Sequence, residues 1–238
     1  MKKIFLFCLL IPVIGLGQGN VVSTFRVFPK IDKTLDFEKA FAAHATKYHT
    51  GDWKWRVLSI ESGPDAGGFH VVEGPLSWEQ FDKRGNLGDA HTADWANNVM
   101  PLTLDRGTTT YSEYAADLSN IAITDYTDKI TITHMYPKSG MVVQATDLVK
   151  RLKKTWEASN ESVAVYRSIA SGPPELVLVS RLKGGLKELG EGFRKPMAER
   201  FDGANGAGSW TRYLSDYANA IDKRWSEMLF LRADLSSK

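Results

Sequence analysis

The side chains of this 238-residue sequence with the most capacity for chemistry are a guanidinium, two imidazoles and two carboxylates on strand-like segments: Arg26, His70, His134, Glu113 and Glu227. Buried together, such groups must be paired or used, and an imidazole or guanidinium against a carboxylate orients a ligand or moves a proton. At solvent-facing edges the same residues are structural ion pairs. His70 alternates with Phe69 and Val71, which makes it either an inward cavity residue or an ordinary satisfied core histidine.

Other combinations carry less. His44 and His49 stand five apart on a predicted helix, about 140° around its axis, so they do not share the face that a metal-binding HExxH pair would. His91 and Asp94 can share a helical face, but two ligands are too few for a metal site; the segment reads equally as a helix start capped by Thr92. No metal is expected. The glycines of "GANGAGSW" (203–210) follow a charged helical stretch instead of a strand, the context of a surface loop before a helix capped by Ser209 and not of a phosphate cradle. GxSxG is absent, which excludes a nucleophile elbow. Of seven tryptophans, most suit core packing. Trp53 and Trp55 share a predicted strand face and are candidates to line a cavity for a flat apolar ligand.

The chain opens with Lys2 and Lys3, runs apolar from Ile4 to Leu16 and then turns small and polar. This is the pattern of a cleavable signal peptide, residues 1–17, cut near Gly17/Gln18, and the expected location is secreted or periplasmic. Cleavage would remove two lysines and the only cysteine, Cys8, so 30 basic against 28 acidic residues becomes 28 against 28. A net charge near zero argues against nucleic acid as a partner. Without cysteine the mature chain has no disulfide or thiol chemistry, and no further apolar run reaches membrane-spanning length.

The second half repeats the first with a shift near 108. "FRVFPK" (25–30) falls on "THMYPK" (133–138), Arg26 falls on His134, and the turns Gly63-Pro64 and Gly172-Pro173 coincide. Further on, "YSEYAADLS" meets "WSEMLFLRADLS", which sets Glu113 on Glu227. Within one unit the periodicities give a strand (21–28) stopped by Pro29, a helix (34–49), two strands (53–60 and 69–74), helical stretches from Ser77 and over 94–104, and a last strand (108–116). Strands near 129–136, 162–170, 175–181 and 224–233 repeat the order. The expected fold is α+β: two tandem ferredoxin-like βαββαβ repeats, 18–122 and 123–238, forming a pseudo-dimeric α+β barrel. Such a chain is a monomer with internal pseudo-symmetry or a homodimer.

This order resembles the dimeric α+β barrel superfamily, which includes antibiotic-biosynthesis-type monooxygenases, NIPSNAP-like proteins and fused-repeat haem proteins related to chlorite dismutase. The resemblance implies two facing sheets around a lined cavity. Arg26 would then pair with Glu113, and His134 with Glu227, on its floor. Haem by analogy needs a helical histidine in the second unit, where only His134 occurs, so no cofactor is expected. Two functions remain: an exported barrel binding a small organic molecule through Arg26, Trp53, Trp55, His70, Glu113, His134 and Glu227, or a cofactor-independent monooxygenase-like enzyme acting on an aromatic or electron-rich small molecule.

Overall fold

The computed structural model describes residues 19–238, and the leader read from residues 1–17 lies outside them. Eight antiparallel strands close into a barrel: β1 (Val21–Pro29), β2 (Trp55–Ile60), β3 (Phe69–Leu76), β4 (Thr103–Tyr114), β5 (Lys129–Pro137), β6 (Val163–Ile169), β7 (Leu176–Arg181) and β8 (Ile221–Leu231). Around the ring they run β1-β3-β2-β8-β5-β7-β6-β4. Six α-helices pack outside: α1 (Thr34–Tyr48), α2 (Trp78–Arg84), α3 (Asp89–Asp94), α4 (Val142–Ala158), α5 (Met197–Asn205) and α6 (Ser209–Ala220). Among the described residues no helix is long and apolar enough to cross a membrane.

Period-two alternation divides each strand between helix side and barrel interior. On β1, Phe25 and Val27 join the core beneath α1, while Val22, Thr24 and Arg26 line the interior. α1 buries Phe37, Phe41, His44 and Ala45 at three- and four-residue spacing. Its aromatic rings stack on Trp55 and Phe69 of the sheet, Phe41 lying 5.0 Å from Phe37 and 5.3 Å from Trp55. On the other flank α4 buries Ala145, Leu148, Val149, Leu152 and Trp156 against Phe201 of α5 and Tyr213 of α6. A third apolar group, Leu58, Ile60, Ile132 and Leu229, lies within the barrel.

Several boundaries differ from expectation. β4 begins at Thr103, because the chain leaves α3 through a π turn (Trp95–Val99) and a 3-10 turn (Met100–Leu102) instead of one long helix. Thr92 lies inside α3, which starts at Asp89. α6 is capped by the Asp202 carboxylate, which accepts from the Gly208 and Trp210 amides and the Ser209 hydroxyl. α2 has a full capping box between Ser77 and Gln80. Ser77→Ala is expected to cost about 1 kcal/mol, read as a lowered urea midpoint with unchanged slope.

The ring closes through two short seams. β2 meets β8 only from Leu58 to Ile60, and β4 meets β6 only from Tyr111 to Tyr114. Beyond each seam a copy of the same tetrapeptide, Ala-Asp-Leu-Ser at 116–119 and 233–236, covers the remaining strand edge. Ser119 Oγ accepts from the Val165 amide and Ser236 Oγ from the Val57 amide. Leu118 and Leu235 are buried in the two flanking cores.

Candidate functional site

The barrel encloses a cavity of about 500 Å³, within the range of small-molecule sites. Its middle is apolar, with Leu58, Val72, Ile130, Ile132, Val177 and Val179 turned inward. Polar groups gather at two levels. His134 faces Val177 on the neighbouring strand, whereas Arg181 faces Ile130; four residues along a strand separate these levels by roughly 13 Å.

At the first level five ionisable groups form a chain. Arg26 Nη1 donates to Asp65 Oδ2 at 2.6 Å and to Glu227 Oε2 at 3.1 Å, and Nη2 donates to Glu227 Oε1. His134 Nε2 donates to Glu227 Oε1 at 2.9 Å and its Nδ1 to Glu175 Oε1 at 2.5 Å. Both ring nitrogens thus face carboxylates, which only an imidazolium satisfies. Burial opposes that charge, yet the hydrogen bonds to Glu175 and Glu227 outweigh it and hold the His134 pKa above the ordinary imidazole value. Burial alone would likewise favour neutral Glu227, but its bonds to His134 and Arg26 keep it below the usual carboxylate range. The indole of Trp225 stacks on His134, centroids 3.9 Å apart and planes 12° from parallel.

His70 sits beside this chain in the opposite state. Burial, reinforced by the Arg26 charge, pushes its pKa down to about 3, and its Nδ1 has no hydrogen-bond partner. His70 lines the cavity wall as a neutral imidazole, and its unpartnered nitrogen is itself buried and not open to the cavity. At the second level Arg56 lies over the Tyr126 ring, 3.5 Å from its centroid, and Arg181 donates to the carbonyls of Ala122 and Ile123. Thr108, Thr110 and Ser112 of β4 add hydroxyls along one wall.

Arg26, His70 and His134 therefore face one cavity, with fully buried Glu227 beneath them. Glu113 does not join them. It lies on the outer face of β4 and accepts from Trp78 Nε1 at 2.6 Å, so the expected Arg26–Glu113 pair is replaced by Arg26–Glu227. The reason is register: Arg26 stands opposite Thr108 and His134 opposite Trp225, a shift of 117 that also carries the first Ala-Asp-Leu-Ser onto the second. Matching the two Ser-Glu pairs slips the strand by three residues, and an odd slip exchanges its faces. Trp53 and Trp55 do not line the cavity either. Trp53 ends a 3-10 turn before β2 begins, and Trp55 points outward beneath α1, because Arg56 and Leu58 take the inward positions.

Sequence reasoning missed Asp65 and Glu175, although a signal existed. Each follows one of the matching Gly-Pro turns, and each delivers a carboxylate to the cation on its own half, Asp65 to Arg26 and Glu175 to His134. Trp225 was also legible, two residues from Glu227 and hence on its face.

The histidines set aside as unrelated come together on the outer wall of the barrel. One ring nitrogen each from His44, His49 and His91 lies within 4.8 Å of the others. The separation of about 140° between His44 and His49 holds only on a continuous helix; α1 ends at Tyr48 and His49 leaves it with φ −102° and ψ 78°, which swings its ring back onto Trp55 at 3.4 Å. Burial lowers all three pKa values, that of His49 to about 4.

No family model and no curated protein matches the sequence. Solved structures do match its fold. One is a candidate monooxygenase of Fusobacterium nucleatum subsp. nucleatum, at 13% identity over 91% of this chain and 94% of that one, TM-score 0.54. Another is an anthrone oxidase-like protein, at 11% identity over 90% and 92%, TM-score 0.53. A mutant chlorite dismutase of Candidatus Nitrospira defluvii aligns at 7% identity over 92% and 94%, TM-score 0.52. These likenesses show a shared barrel-like α+β fold.

Proposed function

We propose that the barrel interior is the reaction chamber of a cofactor-independent oxygenase acting on an aromatic or electron-rich small molecule. The observation that carries this reading is the cavity of about 500 Å³, apolar at its centre, with a carboxylate-clamped His134 and a neutral His70 at one level and Arg56, Arg181, Tyr126 and Tyr166 at the other. A flat molecule with oxygen substituents at both ends fits that distribution. Glu175, held by His134, is the group placed to take a proton from an acidic C–H of the substrate; His134 is a positioning residue. The carbanion so formed is oxidised by dioxygen: one oxygen replaces two hydrogens on carbon, and the other leaves as water. The neighbours assigned to monooxygenase and anthrone oxidase-like groups support the same class of chemistry.

The test is dioxygen uptake with anthrone as probe. Glu175→Gln should lower kcat about 100-fold with KM nearly unchanged, the scale of a lost general base. Uptake no faster than a protein-free blank would reject turnover. The second reading, ligand binding without reaction, is favoured by the engagement of both His134 nitrogens, which leaves no free imidazole base there; anthrone retained in native mass spectrometry without uptake would select it.

The tandem ferredoxin-like duplication, 18–122 and 123–238, is part of this proposal. It is supported by the orders β4-β1-β3-β2 and β8-β5-β7-β6 within the ring, by the paired Arg26–Asp65 and His134–Glu175 contacts, and by the two Ala-Asp-Leu-Ser tails. Export to a secreted or periplasmic location, as one pseudo-symmetric chain or a homodimer, completes it and rests on the leader pattern of residues 1–17.

A further inference from the structure

We propose that His44, His49 and His91 form a binding site for a divalent transition-metal ion of the zinc class, on the outer wall of the barrel between α1, α3 and β2–β3. It is separate from the cavity, because Trp55 and Glu73 beneath it point away from the interior face that carries Arg56, Leu58, His70 and Val72.

The nitrogen atoms support the site one by one. His44 Nδ1 lies 2.7 Å from Asp94 Oδ2, so the neutral ring carries its proton there and presents a lone pair at Nε2. That Nε2 is buried and has no hydrogen-bond partner. His49 Nδ1 faces Glu73 Oε2 at 3.5 Å, which again turns Nε2 toward the cluster. His49 Nε2 and His91 Nε2 are 3.3 Å apart. Two zinc–nitrogen bonds of about 2.05 Å at a tetrahedral angle separate their nitrogens by roughly 3.3 Å. A single shared proton would explain that pair, but it leaves His44 Nε2 orphaned in the interior, which costs free energy; a cation seated between His49 and His91 would draw in His44, whose donor now lies within 4.8 Å of theirs.

The surroundings fit as well. Asp94, hydrogen-bonded to His44, is the kind of carboxylate that commonly fixes the tautomer of a metal-bound histidine and is itself held by Asn98; Glu73, held by Arg84 and Trp55, stands 3.5 Å from His49 Nδ1 without a hydrogen bond to it. His44 and His49 are buried and rigidly packed against Trp55, Trp95 and Tyr48, whereas His91 on α3 is half-buried and gives the ion a way in. Imidazole donors select zinc, copper, nickel or iron over magnesium and calcium. Three protein ligands leave a fourth position for water or substrate, the arrangement of catalytic zinc sites.

The experiment is titration of untagged, chelator-treated protein with Zn²⁺ and with Co²⁺, following heat and the visible d–d absorption of cobalt. One equivalent should bind, with four-coordinate cobalt bands. His91→Gln, at a half-exposed position that folding tolerates, should weaken binding at least 100-fold, and Asp94→Asn about 10- to 100-fold. His134→Gln, inside the barrel, should leave it unchanged. Absence of saturable binding, or equal affinity in His91→Gln, would overturn the site; circular dichroism of the variants separates that outcome from misfolding. Dioxygen uptake is not used, so this test stands or falls apart from the oxygenase reading.

Discussion

Arg26→Met is expected to destabilise the barrel by about 3–5 kcal/mol, the cost of leaving buried charges without their partner. Glu227 has no solvent-exposed side-chain surface, and Arg26 is its only contact besides His134 among the hydrogen bonds it makes in the described residues. Removing the guanidinium also frees Asp65. His134 would then face Glu227 and Glu175 with one positive charge against two negative. The double variant Arg26→Met/Glu227→Gln should recover a large part of the loss, because the uncompensated carboxylate is gone while His134 keeps Glu175. Urea unfolding of wild type, both single variants and the double variant closes the cycle. A loss below about 1 kcal/mol for Arg26→Met would mean that cavity water solvates the network and that it is not a folding element.

Acid is expected to weaken the protein well before its carboxylates protonate. His70 has a folded pKa of about 3 against 6.5 unfolded, so below pH 6.5 the unfolded chain takes up a proton that the folded one refuses. Stability then falls by about 1.4 kcal/mol per pH unit, roughly 3 kcal/mol by pH 4.5. Glu227 acts in the same direction only lower down: its depressed pKa contributes stability above 4.5 that is lost as pH falls through the folded value. His134 has the opposite sign. Its raised pKa contributes stability that is fully present below 6.5 and lost as pH rises through the folded value. His49, held down to about 4, and His44 and His91, whose pKa values burial also lowers, add losses of the same sign, so urea midpoints at pH 7 and 4.5 should differ strongly in the wild type and by a smaller but still appreciable amount in His70→Gln. An equal drop in both would remove His70 as the cause.

What the sequence made legible was order and face more than register. Strand, helix, strand, strand, helix, strand follows from Pro29, the apolar spacing of α1 and α4, and two Gly-Pro turns, all of them local signals. Arg26, His70 and His134 could be placed on inward faces because alternation is a local property as well. The partner of Arg26 was not local. It depends on which residues of β8 stand across the barrel, and a three-residue slip in matching two Ser-Glu pairs was enough to choose Glu113 over Glu227. The histidine cluster was hidden for a similar reason: His49 reaches His44 only because the helix stops one residue earlier, and His91 arrives from another element entirely. Trp53 and Trp55 failed through the opposite error, since a strand assumed to start two residues early makes them share a face.

The short seams and their Ala-Asp-Leu-Ser tails also govern how this protein avoids sticking to itself. An open sheet offers unpaired amides to any passing strand, and such edges seed aggregation. Here the amides of Val57 and Val165, which the seams leave uncovered, are capped by the hydroxyls of Ser236 and Ser119. Each tail is anchored by a buried leucine, Leu235 or Leu118, so the cap is released only when that leucine leaves its core. Detachment of a few residues at the C-terminus would thus expose a template for intermolecular strand addition while most of the barrel is still intact.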